Sequence, residues 1–183
     1  MVGIPEVKDI FAAIADTFEG CIESLSRISE DTVKGQPLIR HPAQFYNYDA
    51  ITGNFYRQKP RSPDMILFKE DTIVFVEFKS GKIKSSDIKV KAIEGGFIIL
   101  HKIVSHYKKE ISFIDIIHLK KVYIVVYDKD KNARKHLLDH KYANVARFGL
   151  EMYKGTFFHK VKTLSKDRFM VWLEAHQLIN GNA

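Results

Sequence analysis

Cysteine is almost missing from this chain. Cys21 stands alone, so no intramolecular disulfide can form, and a small fold held by cross-links is excluded. A reducing compartment fits that usage. Cys21 falls among apolar helical positions, where a thiol serves as a small buried hydrophobe rather than a nucleophile. No apolar run approaches the roughly 18 residues of a membrane-spanning helix, and acidic residues stand near the N-terminus where a signal peptide carries a basic segment. The expectation is a soluble cytoplasmic protein with no membrane partner. Also missing are a glycine-rich phosphate loop, a Ser-His-Asp or Cys-His pattern, internal repeats, low-complexity tracts and a linker long enough to separate domains. His136 and His140 are four apart, yet "HLLDH" lacks the glutamate of a zincin motif and no third zinc ligand is evident.

What the chain does have is apolar and basic. Its 183 residues are 45% hydrophobic and 12% aromatic, enough to bury one sizeable core, and one domain over residues 1–183 is expected. The net charge of +7 makes a polyanion a candidate partner, although surplus lysine also serves solubility. The charge is unevenly spread. The first 36 residues carry Glu6, Asp9, Asp16, Glu19, Glu23, Glu30 and Asp31 against Lys8, Arg27 and Lys34, whereas residues 79–141 are crowded with lysine.

Apolar spacing from Pro5 to about Ile28 predicts an amphipathic helix. Breakers around "AQFYNY" and "NFYRQ" predict one or two short strands in residues 31–62. A hairpin follows in "RSPDMILFKEDTIVFVEFKSG". Ser85 or Ser86 can then cap a helix to about Lys109, with Gly95-Gly96 marking a weak point or close packing. "KKVYIVVYD" suits a strand buried on both faces. A helical pattern covers about Lys131 to Tyr153, "TFFHKVKTLS" reads as a strand, and Ser165 or Asp167 can cap a last helix. This order predicts an α/β fold, a central mixed β-sheet flanked by helices.

The hairpin carries charges that its apolar surroundings do not explain. With a turn at "KEDT", of two or four residues, the register that opposes Phe68 to Ile73 also opposes Asp64 to Glu77. Directly paired residues have Cβ atoms about 4.5–5.5 Å apart, and like charges there are destabilising. Period-2 alternation puts Lys79 on the same face. A divalent cation between the carboxylates would remove the repulsion; Mg²⁺ is typically held by one or two carboxylates, leaving room for water and substrate phosphate. Lys79 could orient or deprotonate an attacking water. The plainer alternative is that Asp64 merely starts a strand and Glu77 and Lys79 are solvated edge charges, but the apolar residues on both faces of this strand argue against an exposed edge.

Pro63-Asp64, followed by Glu77-Phe78-Lys79 on the next strand, resembles the PD-(D/E)XK nuclease superfamily. The resemblance covers about residues 5–128 and implies a restriction-endonuclease-like αβββαβ core, with residues 129–183 as a C-terminal α/β addition. It implies Asp64 and Glu77 as ligands of Mg²⁺ or Mn²⁺, the Phe78 backbone carbonyl as a further ligand, and Lys79 as the catalytic lysine. Many members add a glutamate from the first helix, for which Glu19 and Glu23 are the candidates, and a polar residue from the helix after the motif, for which Lys82, Lys84 and Lys89 are available. The implied activity is metal-dependent phosphodiester hydrolysis, on DNA ahead of RNA, by a protein that could be a homodimer. The alternative is a catalytically inactive nuclease-like module that binds nucleic acid or a protein partner. Arg57, Lys59 and Arg61, interleaved with Tyr46, Tyr48, Phe55 and Tyr56, are candidates for phosphate binding and stacking, with core packing as the equal alternative for the aromatics. Lys82, Lys84, Lys89 and Lys91 are expected to contact phosphates.

Overall fold

β-Branched and aromatic residues concentrate in three runs, and these form the middle of a six-stranded sheet in the computed structural model, which describes residues 6–81, 83–107, 111–132 and 148–179. The runs are β5 (Met65–Lys69), β6 (Thr72–Lys79) and β7 (Lys120–Tyr127). Three further strands complete the sheet: β1 (Ile22–Ser24), β4 (Gln44–Asn47) and β8 (Lys160–Ser165), in the order β1-β4-β5-β6-β7-β8. Pairing is antiparallel from β1 to β6 and parallel from β6 to β8. The sheet is therefore mixed, and helices flank it. Two further short strands, β2 (Glu30–Asp31) and β3 (Gln36–Pro37), form a separate ribbon. β8 belongs to the same sheet as the hairpin, so the C-terminal part extends the core instead of standing apart from it.

Alternation along β6 divides the interior. Ile73 and Phe75 join one apolar cluster, and Val74, Val76 and Phe78 join another on the opposite face. The first cluster is covered by α1 (Val7–Phe18), α3 (Tyr48–Phe55), α4 (Ser85–Ile93), α5 (Leu100–Tyr107) and α6 (Phe113–His118). The second is covered by α2 (Leu25–Ile28) and α7 (Lys166–Ala175). Each fully buried Ile, Val or Phe contributes about 1.5–3 kcal/mol relative to exposure, so β6, buried from Ile73 to Phe78, and β7, buried from Lys121 to Tyr127, anchor the sheet. No helix among the described residues is long and apolar enough to cross a membrane.

Several expectations need correction. The N-terminal helix ends at Phe18, ten residues short of Ile28, and the chain passes through a 3₁₀ turn (Glu19–Cys21) into β1. Ile22 and Leu25 continue the apolar spacing, but Ile22 pairs with Tyr46 on β4, and strand pairing overrides the helical pattern. α3 lies where only strands were expected; the Asn47 side chain accepts the Ala50 amide at 2.8 Å and starts it. α4 begins at Ser85, with Lys84 at the cap position and no side-chain cap. The helix expected over residues 131–153 falls mostly outside the described residues, as do His136 and His140; Glu151–Tyr153 is a 3₁₀ turn. Ser165 does cap α7, accepting the Arg168 amide at 3.4 Å.

Gly95-Gly96 marks close packing. The helix widens there into a π turn (Glu94–Ile99) between α4 and α5. A Cβ on Gly95 would lie 2.1 Å from Pro63 Cδ, and one on Gly96 would lie 2.9 Å from the Phe158 ring. Only glycine lets this helix approach the residue before Asp64 so closely.

Candidate active site

The hairpin ladder runs from Lys69↔Thr72 to Met65↔Val76 in the expected register, so the turn is the two residues Glu70 and Asp71, and Asp64 follows one residue beyond the last pair. Its backbone is held on both sides. The Asp64 amide donates to the Val76 carbonyl at 3.0 Å, and its carbonyl accepts the Tyr48 amide of α3 at 3.0 Å. The Asp64 carboxylate then accepts the Phe78 amide through Oδ2 at 2.6 Å.

Glu77 continues the row of Ile73 and Phe75 on the face beneath α4 and is fully buried. An ionised carboxylate in such a place is costly unless paired. Lys79 Nζ lies 2.7 Å from Glu77 Oε1. Lys91, from α4, places its Nζ 2.9 Å from Glu77 Oε1 and 3.2 Å from Asp64 Oδ1, and it donates to Glu77 Oε2 at 2.9 Å. Lys91 therefore stands between the two carboxylates. Despite these ion contacts, Glu77 Oε1 accepts no aligned hydrogen bond.

The electrostatics follow from this crowding. Burial pushes the Glu77 carboxyl up to about 7, the Asp64 charge adds to the rise, and Lys91 and Lys79 pull against it. Burial also raises Asp64, opposed first by Lys91. For Lys91, burial acts downward, but Asp64 and Glu77 together outweigh it and hold the ammonium above its usual range.

The cluster opens into a cavity of about 360 Å³ at the carboxyl end of β6, whose lining includes Glu30, Asp31 and Asp49 with Asp64, Glu77, Lys79 and Lys91. Crevices at the carboxyl ends of strands are the usual binding places in open α/β sheets. Asp31 accepts from Ser80 Oγ and ties the β2–β3 ribbon to the end of β6; that bond, chiefly, lowers its carboxyl. Asp49 accepts from Ser62 Oγ at 2.8 Å and pairs with Lys59.

One face of α4 and the π turn grips residues 61–64. Asp87 pairs with Arg61 at 3.1 Å, Lys91 with Asp64, the Glu94 carboxylate accepts the Arg61 amide at 2.9 Å, and Gly95 packs on Pro63 while its carbonyl accepts the Tyr48 hydroxyl at 2.9 Å. Residues 87, 91, 94 and 95 share one helical face. This spacing was the available signal for Lys91: it lies three residues after Ile88 and beside Ala92, both buried, on the edge of the buried stripe and not on the solvent side.

Other expected site residues are placed elsewhere. Glu19 is exposed in the 3₁₀ turn and Glu23 lies on β1, where its carboxylate accepts from Asn47 Nδ2 at 3.0 Å; neither lines the cavity. Among the described residues, no group of three His, Cys, Asp or Glu side chains is arranged to hold a metal ion. Arg57, Lys59, Arg61 and Lys84 are exposed, and Lys59 and Arg61 are engaged by Asp49 and Asp87. The ammonium end of Lys89, Cε and Nζ, lies over Gly149. Lys82 lies outside the described residues. Tyr48 is fully buried, and Tyr46, Phe55 and Tyr56 pack against the first cluster, so these aromatics serve the core. Phe78 lines the cavity with its amide committed to Asp64.

The donor set fits a hard divalent cation. Asp64 and Glu77 share Lys91 as counter-charge at one cavity, and Mg²⁺ needs no more than one or two protein carboxylates, so with Lys91 displaced the pair offers such an ion its oxygen ligands. No family model, curated protein or solved structure matches the chain.

Proposed function

We propose that the protein is a metal-dependent nuclease of the PD-(D/E)XK type, hydrolysing phosphodiester bonds of DNA in preference to RNA. The observation that carries this reading is the convergence of Asp64, the fully buried Glu77 and Lys79 on one polar cavity. The order α1, β4, α3, β5-β6, α4 to α6, β7, with short elements inserted between α1 and β4, supports reading the centre as an elaborated αβββαβ core. Asp64 and Glu77, with the Phe78 carbonyl, would hold Mg²⁺ or Mn²⁺. Such an ion supplies stabilisation of the charge that develops on a phosphodiester. Lys79, fixed by its contact with Glu77, orients the attacking water and offsets charge in the transition state. Burial beneath α4 keeps bulk water from Glu77 and strengthens each of these interactions.

A second reading, a nuclease-like module that binds without cutting, is favoured by one observation: Lys91 already relieves the repulsion that would otherwise call for a metal. A cleavage panel with and without Mg²⁺ or Mn²⁺, on single-stranded, duplex and branched DNA and on RNA, separates the two. Metal-dependent cutting of any substrate supports the nuclease. Nucleic-acid binding with no cutting on the whole panel overturns it in favour of the module.

A further inference from the structure

Lys91 is a fixed occupant of the space between two carboxylates. Its Nζ lies 2.9 Å from Glu77 Oε1 and 3.2 Å from Asp64 Oδ1. A diffusible counter-ion could leave at no structural cost, but Lys91 is delivered by a helix that is docked at three further points: Asp87 and Glu94 on Arg61, and Gly95 against Pro63. The ammonium is therefore present at high local concentration whenever the helix is in place. A divalent ion held by the same two carboxylates would bring like charge into contact with it. Lys91 itself lines the cavity of about 360 Å³, so its side chain has open space beside it into which to withdraw.

We propose that Lys91 is a built-in surrogate cation of the Asp64–Glu77 pair, which holds the metal-free site together and sets its divalent-ion affinity by having to withdraw before the ion enters. The nuclease reading supplies only the identity of the competitor. Lys91 is a positioning residue in this scheme and not a catalytic one. A purely structural lysine would also stabilise the fold, but its removal would not tighten ion binding.

Calorimetric titration with Mn²⁺ and with Mg²⁺ alone, on the parent, Lys91→Met and Lys91→Arg, distinguishes the two roles. Close charge pairs of this kind couple strongly enough that Lys91→Met is expected to lower the Mn²⁺ dissociation constant by about tenfold or more. Lys91→Arg keeps the positive charge and is expected to bind the ion no more tightly than the parent. Without metal, Lys91→Met leaves two carboxylates opposed, and its melting temperature should fall by about 5 °C or more, with saturating Mn²⁺ recovering most of the loss. If Lys91→Met does not fold, ¹⁵N-lysine spectra of the parent serve instead: the Nζ signal absent from Lys91→Arg must shift as Mg²⁺ saturates the site. Unchanged or weaker ion binding by Lys91→Met overturns the proposal, as does an Nζ signal indifferent to Mg²⁺, or no ion binding by parent and variant alike. The cleavage panel fails independently. Ion binding with the expected Lys91 dependence but no cleavage sinks the nuclease reading alone, and metal-dependent cleavage with unchanged Lys91→Met affinity sinks the surrogate cation alone.

Discussion

Lys91 and Lys121 both place an ammonium under the helices that cover one face of the sheet, and they are balanced in opposite ways. Lys121, at the start of β7, is fully buried. Its Nζ donates to the carbonyls of Ile116, Ile117 and Leu119, the last two at 2.9 Å each, and lies 4.7 Å from the Phe97 ring centroid. Three donors meet three acceptors at the carboxyl end of α6, where the helix dipole favours a cation. Burial nevertheless pushes this ammonium down to about 7. At the other end of the neighbouring strand, Lys91 and Lys79 meet formal negative charges, one carboxylate oxygen accepts no aligned hydrogen bond, and the cluster opens into a cavity. A buried charge closed in by neutral partners is scaffold, whereas crowded like and unlike charges beside a cavity are the arrangement in which chemistry can be sought.

The sharpest way to break this comparison is to neutralise the acids. Asp64→Asn and Glu77→Gln are expected to reduce metal-dependent cleavage by about 10⁴-fold or more while leaving folding intact at neutral pH. Lys121→Met should do the reverse, costing about 3 kcal/mol in urea unfolding by stranding three carbonyls, with cleavage per folded molecule unchanged. A loss of rate in Lys121→Met matching that of Glu77→Gln would abolish the distinction.

pH sharpens it further. The folded state holds the Glu77 proton more tightly than the unfolded chain, so between about 4.5 and 7 stability falls as pH rises, by up to about 3 kcal/mol from this group. The fall is complete above the folded value. Glu77→Gln should flatten that window, and an identical pH profile in parent and variant would show that Glu77 is not strained. Lys121, with its folded value lowered, gives the opposite sign: stability that rises with pH between about 7 and 10.5, and is absent in Lys121→Met.

Smaller effects test the supports. Gly95→Ala forces a methyl against Pro63 and is expected to cost about 1–3 kcal/mol and to weaken ion binding, because Asp64 follows directly. An unchanged melt would mean that the close approach is dispensable. Smallest of all, alanine at Arg57 or Lys84 should each reduce the slope of log affinity for nucleic acid against log salt by about 0.7–0.9. Unaltered slopes would make them a solvated face.

The hairpin was legible because its register is fixed locally: a two-residue turn and strict alternation leave one pairing that keeps both faces apolar, and that pairing brings Asp64 beside Glu77. The burial of β7 was legible for the same reason. Lys91 was not, since it is one of two lysines on α4 and its selection over Lys89 depends on how that helix docks. The boundary of α1 was misread because Ile22 and Leu25 keep the helical spacing while serving a strand edge and a second core. α3 was hidden by its aromatic residues, which suggest strands until Asn47 is seen capping it. The acidic wall comes from two places in the chain, Glu30 and Asp31 on β2 and Asp49 on α3, and only tertiary structure assembles it.

The two-residue turn between β5 and β6 also has a temporal consequence. Hairpin closure is local and fast, on the order of microseconds, whereas Lys91 arrives only when α4 docks on residues 61–64. A chain that closes the hairpin first brings Asp64 against Glu77 with Lys79 beside Glu77 but without the Lys91 bridge, so part of the repulsion persists until the helix settles. Order of assembly is thus written into charge. Glu77→Gln removes one of the two opposed charges and is expected to refold faster than the parent in stopped flow at neutral pH, and an unchanged rate would show that the opposed carboxylates do not delay folding.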